Sequence, residues 1–269
     1  MSDDPTRLHF FNVDDRSVRC RILEPAPDPA PGSPRLPLLL LHGLGCSMES
    51  WLPAMKVLAE RRPAARTYAA DFPGFGCSPG PKEPMGMGDL ADWAARLLDA
   101  MGVERAHLAG NSMGCQVALA LARRHPERVG GLALVGPTSG DRLISFWRYA
   151  LGLLLDGARE PMRYNAVLAG WYLEMGIPRY LATTRKMLED DPVAHAKEVA
   201  APCLVVRGGY DGIIPDTAAR RLAAALPHSR FDRLPRMPHA LQYSRPSELM
   251  DVAVPFWAEA EEKLPPAPV

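Results

Sequence analysis

A serine hydroxyl becomes a useful nucleophile only when a base takes its proton and a third group orients that base. Ser112 lies where such chemistry is feasible, in Gly110-Asn111-Ser112-Met113-Gly114. Here an apolar strand-like run, Ala106–Ala109, passes straight into a helix-like run, Met113–Arg124. A sharp strand-to-helix turn strains the serine backbone, and the glycines leave room for the crossing chain. The hydroxyl then stands at the N-terminus of a helix, which favours developing negative charge. Five residues of this kind also occur by chance, so their meaning depends on what accompanies them.

Two downstream segments supply the companions. Val205-Val206-Arg207-Gly208-Gly209-Tyr210-Asp211 puts a carboxylate just past a buried strand, and Leu234-Pro235-Arg236-Met237-Pro238-His239 puts an imidazole just past the next. The order serine, acid, histidine suits an elbow of this type, and all three loops fall at one sheet edge. Asp211 reads as the orienting acid. Its rivals are a loop-capping role beside Gly212, Asp141 shortly after the preceding strand, and Asp216 on the same loop. His239 reads as the base; among the other histidines, His107 lies in or beside a strand, and His125 and His228 end or follow helices. Asp71, in Asp71-Phe72-Pro73-Gly74-Phe75-Gly76, precedes the serine and reads as a structural turn residue.

An oxyanion formed during acyl transfer needs two preorganised donors. One is the N–H of Met113, directly after the serine. The other comes from His42-Gly43-Leu44-Gly45-Cys46-Ser47, with Leu44 as the expected donor and Cys46 as the nearby alternative. His42 is expected to hold this loop by hydrogen bonding. Cys115 and Cys46 read as small buried fillers rather than nucleophiles.

The elements that must position these groups alternate. Val18–Leu23, Leu38–Leu41, Arg66–Ala70, Ala106–Ala109, Leu132–Val135, Cys203–Val206 and Phe231–Leu234 read as strands. Trp51–Arg61, Leu90–Met101, Met113–Arg124, Thr217–Leu226 and Ser247–Lys263 read as helices. That alternation implies an α/β protein, a parallel sheet covered by helices on both faces. From Gly136 to Ala201 no strand is evident, and helix-compatible Leu, Trp and Tyr residues abound. The expected organisation is a core of residues 1–135 and 202–269 with a helical cap, 136–201, inserted after the sixth sheet strand and folded over the strand C-termini, the edge where ligands bind in open α/β sheets. Trp147, Tyr149, Trp171 and Tyr172 are its candidates for shaping a substrate pocket, with Cys46 beside them from the core.

Composition narrows the class. Net charge is zero over 269 residues, which gives a nucleic-acid partner no electrostatic support. The five cysteines have no paired spacing and no Cys/His cluster suggests a metal, so a reduced cytoplasm is expected. Met1–Pro5 is acidic without an apolar run, and no apolar stretch reaches membrane-spanning length, so neither signal peptide nor membrane partner is expected. The partner expected is a small-molecule substrate, with the protein a monomer or homodimer.

Together these residues resemble the α/β-hydrolase superfamily over roughly Val18 to Lys263, through His42-Gly43, the run Asp71 to Gly76, the elbow at Ser112 and the Asp211/His239 pair. The resemblance implies an eight-stranded, mostly parallel sheet with a helical cap, and chemistry without a cofactor. It implies a serine hydrolase acting on a small, fairly apolar ester or thioester through an acyl-enzyme. Gly-Asn-Ser-Met-Gly also looks like the carbon–carbon hydrolases of aromatic ring-fission products, which usually have glycine where this chain has Cys115. Hydrolysis of such a product, or of a lactone, is the alternative, and a non-catalytic small-ligand receptor on the same fold is the alternative outside enzymes.

Overall fold

Leu38–Leu41 (β3) is completely buried, as a strand covered by helices on both faces must be. Its side chains alternate. Leu39 and Leu41 join one apolar cluster and Leu38 and Leu40 the other, so this one strand divides the two halves of the core. The computed structural model describes residues 4–26, 36–138, 152 and 155–263. The remaining strands are β1 (Thr6–Val13), β2 (Arg16–Leu23), β4 (Thr67–Ala70), β5 (Ala106–Asn111), β6 (Val129–Val135), β7 (Cys203–Gly208) and β8 (Ser229–Leu234). They form an eight-stranded sheet in the order β1-β2-β4-β3-β5-β6-β7-β8. The β1/β2 and β2/β4 pairs are antiparallel and the other pairs parallel.

Helices α1 (Leu52–Arg61), α2 (Met87–Ala100), α3 (Met113–Arg124) and later ones cover the sheet. Helices α2 and α3 pack on the Leu39/Leu41 face; α1 packs on the Leu38/Leu40 face. Between β6 and β7 lie α4 (Met162–Met175), α5 (Ile177–Glu189) and α6 (Pro192–Ala196), and no strand occurs among the described residues there. The first two of these helices pack on each other, whereas α6 packs on α3 and on α7 (Asp216–Ala225), so the insertion ends within the core. A one-turn α8 (Leu241–Ser244) and a long α9 (Pro246–Glu262) close the chain. Among the described residues no helix is long and apolar enough to cross a membrane.

The strand that the sequence reading passed over is β1. It lies at the sheet edge, pairs among the described residues only with β2, and leaves Leu8 and Phe10 exposed, so no buried face imposes a clear alternation. Its turn was nonetheless written in the chain. Asp14 and Asp15 both adopt positive φ, 53° and 59°, the signature of a two-residue hairpin turn, and the Asp14 carboxylate is held by Arg96 at 2.8 Å.

At the sheet edge remote from Ser112, a buried ion network ties β5 to α9. Glu261 pairs with Arg62, sits 3.2 Å from His107 Nε2, and accepts the N–H of Leu36 at 3.2 Å. Glu261→Ala leaves the Arg62 guanidinium buried without this carboxylate. It is expected to cost about 3–5 kcal/mol, read as a lower urea midpoint at unchanged slope.

Candidate active site

The backbone at Ser112 has φ 54° and ψ −115°, a conformation L-residues avoid. The surrounding chain imposes it. Strand β5 ends one residue earlier and α3 begins one residue later, so the whole reversal falls on a single residue. The Ser112 N–H continues the sheet by donating to the Val135 carbonyl at 3.0 Å. Helix α3 must then pass directly under β3, and Gly114 makes this feasible: a Cβ there would lie 2.3 Å from the Leu41 carbonyl oxygen. Cys115 adds a second tie, its thiol donating to Gly110 O at 3.1 Å and lying 3.4 Å from Val135 O. Burial pushes that thiol far up, so it remains protonated.

Asp211 and His239 meet across neighbouring loops. Their contact, Oδ2 to Nδ1, is 2.8 Å, and both residues are buried. The other carboxylate oxygen, Oδ1, accepts the N–H groups of Ile213 and Ile214, each at 2.9 Å. Burial pushes the Asp211 carboxyl up, but the adjacent imidazole and these donors outweigh it, and the net shift is downward. For His239 burial pulls downward, but Asp211, Asp156 and Glu160 outweigh it and raise the imidazole to about 9. The other ring nitrogen, Nε2, is buried without a hydrogen-bond partner among the described residues. His239 lines the same cavity as Ser112.

Gly43 and Leu44 line that cavity too, from the loop after β3. Met113 occupies the first position of α3, where N–H groups have no intrahelical acceptor. His42 fastens the β3 loop as expected of it. Its Nε2 accepts the Phe72 N–H at 3.1 Å, which leaves Nδ1 to donate to Gly43 O at 2.8 Å. Burial pulls this imidazole down to about 4, so it stays neutral. Asp71 accepts the N–H groups of Met48 at 2.7 Å and Cys77 at 3.2 Å, tying two loops from a turn position.

Of the five pocket candidates, Cys46 and Tyr172 line the cavity. Trp171 does not; it packs behind the wall in a cluster with Cys46, Tyr164 and Ala240. Trp147 and Tyr149 lie outside the described residues, as does the rival acid Asp141. Asp216, the other rival, is more exposed and is engaged by Arg220 at 2.6 Å.

Four residues that sequence reasoning passed over complete the site. Asn111 Nδ2 reaches Val135 O at 3.3 Å and His239 O at 3.5 Å, joining the elbow to the histidine loop. Arg207 grips the Asp211 loop from the core, donating to Ile214 O at 2.7 Å, Gly208 O at 2.8 Å and Asp211 O at 2.9 Å. Asp156 and Glu160 reach the two loops from the insertion. Their partners, three main-chain N–H groups and the Ser244 hydroxyl, lie 56 to 84 residues away, which no local pattern announces.

Comparison with known proteins agrees with this fold. A family model described as alpha/beta hydrolase fold matches residues 37–170. The chain is 29% identical over 249 residues to a 2-hydroxymuconate semialdehyde hydrolase of Pseudomonas sp. (strain CF600), covering 84% of this chain and 88% of that one. It is 32% identical over 159 residues to an uncharacterized carboxylesterase of Bacillus subtilis (strain 168), covering 58% of this chain and 50% of that one. Among solved structures, a thermophilic esterase from Thermogutta terrifontis superposes with a TM-score of 0.76 at 20% identity, covering 94% of this chain and 99% of that one. That last likeness speaks to the fold.

Gly136, just past β6 with φ 54°, gives the most direct test of the site's geometry. A Cβ there would lie 2.8 Å from Cε1 and from Nδ1 of the His239 ring. Gly136→Ala is expected to drive the ring off Asp211. The low-field Nδ1 proton resonance should vanish and hydrolytic kcat fall about 100-fold, the effect of an ångström-scale misplacement, with far-ultraviolet circular dichroism unchanged.

Proposed function

The chain belongs to the α/β-hydrolase superfamily, and on that footing we propose that it is a serine hydrolase of small, fairly apolar carboxylic esters or thioesters. One observation carries the reading. Ser112, strained at φ 54°, shares a cavity with His239, whose Nδ1 is bound to Asp211 and whose Nε2 has no hydrogen-bond partner among the described residues. The insertion 136–201 serves as the cap that closes this cavity, and the protein works in the cytoplasm.

The proposed steps follow from these groups. Nε2 of His239 takes the Ser112 proton as Oγ attacks the carbonyl carbon, and Asp211 stabilises the imidazolium that results. The oxyanion is held by the N–H groups of Met113 and Leu44. The imidazolium gives its proton to the leaving alcohol or thiol, the bond to the acyl carbon breaks, and an acyl-enzyme remains. Water, deprotonated by His239, attacks that acyl group, and the acid departs as the proton returns to Ser112. Every atom transferred comes from this chain, substrate or water.

A second reading, hydrolysis of a carbon–carbon bond in a ring-fission product, draws support from the first relative named above and from the elbow wording. The cavity wall favours the ester. A dienoate carries a carboxylate, and Asp156 and Glu160 are carboxylates on that wall. Burial already pushes both carboxyls up, Glu160 to about 7, so this wall resists taking on a further negative charge.

Two outcomes test the proposal. Ser112→Ala should lower p-nitrophenyl ester cleavage at least about a thousand-fold with the fold intact, and only the unaltered protein should label with a fluorophosphonate; residual turnover near the original rate would sink the nucleophile assignment. In a direct comparison, kcat/KM for an uncharged short-chain ester should exceed that for a ring-fission dienoate at least about tenfold, which corresponds to about 1.4 kcal/mol.

A further inference from the structure

The loops bearing Asp211 and His239 are held from two sides. From the core, Arg207 binds three carbonyls of the Asp211 loop, and Tyr210 N–H donates to Met237 O at 2.8 Å between the loops. From the insertion, Asp156 Oδ1 accepts the Gly212 N–H at 3.2 Å and the N–H of His239 itself at 3.1 Å. One carboxylate oxygen thus joins the residue after the proposed acid to the proposed base. One turn later, Glu160 Oε1 accepts the Ala240 N–H at 2.7 Å and Oε2 accepts the Ser244 hydroxyl. Between them Arg159 donates to Tyr210 O at 2.6 Å. The segment therefore meets both loops at consecutive positions, and its two carboxylates also line the cavity.

Burying two carboxylates beside a third is costly unless they make strong hydrogen bonds, and charge-assisted bonds to backbone N–H groups are of that kind. Asp156 is 4% exposed and Glu160 is 7% exposed. Packing alone would be served by apolar side chains; these acids instead spend their acceptors on the backbone of the base loop.

We propose that Asp156 and Glu160 are positioning residues that clamp the acid and base loops from the side of the insertion and so hold the Asp211–His239 pair in register. This rests on the reading of His239 as base. The clamp has an electrostatic consequence. His239 faces Asp211 from its neighbouring loop, Asp156 and Glu160 from the insertion, and Ser112 from the elbow. The nearby Cys46 thiol and Tyr164 hydroxyl are pushed up by burial and stay neutral. Burial raises both acids, Glu160 to about 7, which still leaves them ionised where His239 titrates, near 9; there they favour the imidazolium, so removing one negative charge lowers the pH at which His239 becomes an available base.

Four variants test it: Asp156→Ala, Glu160→Ala, Asp156→Asn and Glu160→Gln. The alanine variants lose the clamp, and kcat is expected to fall about 100-fold with KM within about threefold. The amide variants keep a carbonyl acceptor without the charge. They should recover most of kcat, and the acid limb of their kcat/KM–pH profile should move down by about half a unit to one unit. Alanine variants that keep kcat within about twofold, together with amide variants whose acid limb stays in place, would leave the acids as packing residues and overturn the proposal. If an alanine variant does not fold, the amide pair decides: an unmoved limb overturns it. The Nδ1 proton resonance of His239 reads the clamp without turnover and should broaden in both alanine variants. Failure of the base assignment would show instead as Ser112 that neither turns over ester nor labels in the unaltered protein.

Discussion

Everything at this site hangs on the approach of α3 to β3. Parallel strands covered by helices leave little free space, and α3 runs so close to the end of β3 that only a hydrogen at Gly114 Cα fits beneath the Leu41 carbonyl. That contact fixes where the helix begins. With β5 ending at Asn111 and α3 starting at Met113, the reversal has one residue in which to occur. The strain at Ser112 is thus a result of sheet packing, sustained by the two buried apolar layers on either side. The same contact brings Ser112, immediately ahead of α3, and the loop after β3 to a common cavity.

Around this rigid centre, polar residues fix the loops that the sheet cannot. His42 links the loops after β3 and β4, Asp71 links the second of these to the 3-10 turn at Met48–Trp51, and Arg207 shapes the loop after β7. Each buried side chain here satisfies backbone groups that would otherwise be stranded away from water. The tautomer of His42 follows from its partners alone: one nitrogen accepts, so the other must donate.

Much of this was legible in the sequence, for reasons that differ by residue. Leu38–Leu41 and Met113–Arg124 were recoverable to the residue because a solid apolar run and an elbow leave few alternatives. Ser112, Asp211 and His239 could be named because each follows a strand at the same sheet edge, and the structure brings Asp211 and His239 to 2.8 Å. Strand β1 escaped because an edge strand with exposed Leu8 and Phe10 carries no one-sided pattern. Asp156 and Glu160 escaped for another reason. Three of their four partners are backbone N–H groups, which carry no side-chain signature, and the fourth is the hydroxyl of Ser244, one serine among many, so no pairing of side-chain types stood out across the chain. Trp171 was placed one layer too far inward: helix α4 turns Tyr172 to the cavity and Trp171 to the packing behind it.

Segments that connect strands tolerate change far better than the strands they join. The bonds from Asp156 and Glu160 to residues 212, 239, 240 and 244 place a limit on that freedom. A foreign segment grafted onto this scaffold would bring its own walls but leave four polar groups of the scaffold without their acceptors. Residues up to Glu160 thus act with the loops after β7 and β8 as one unit, and a transplant of the segment between β6 and β7 has to keep the two acids or replace the loops they hold.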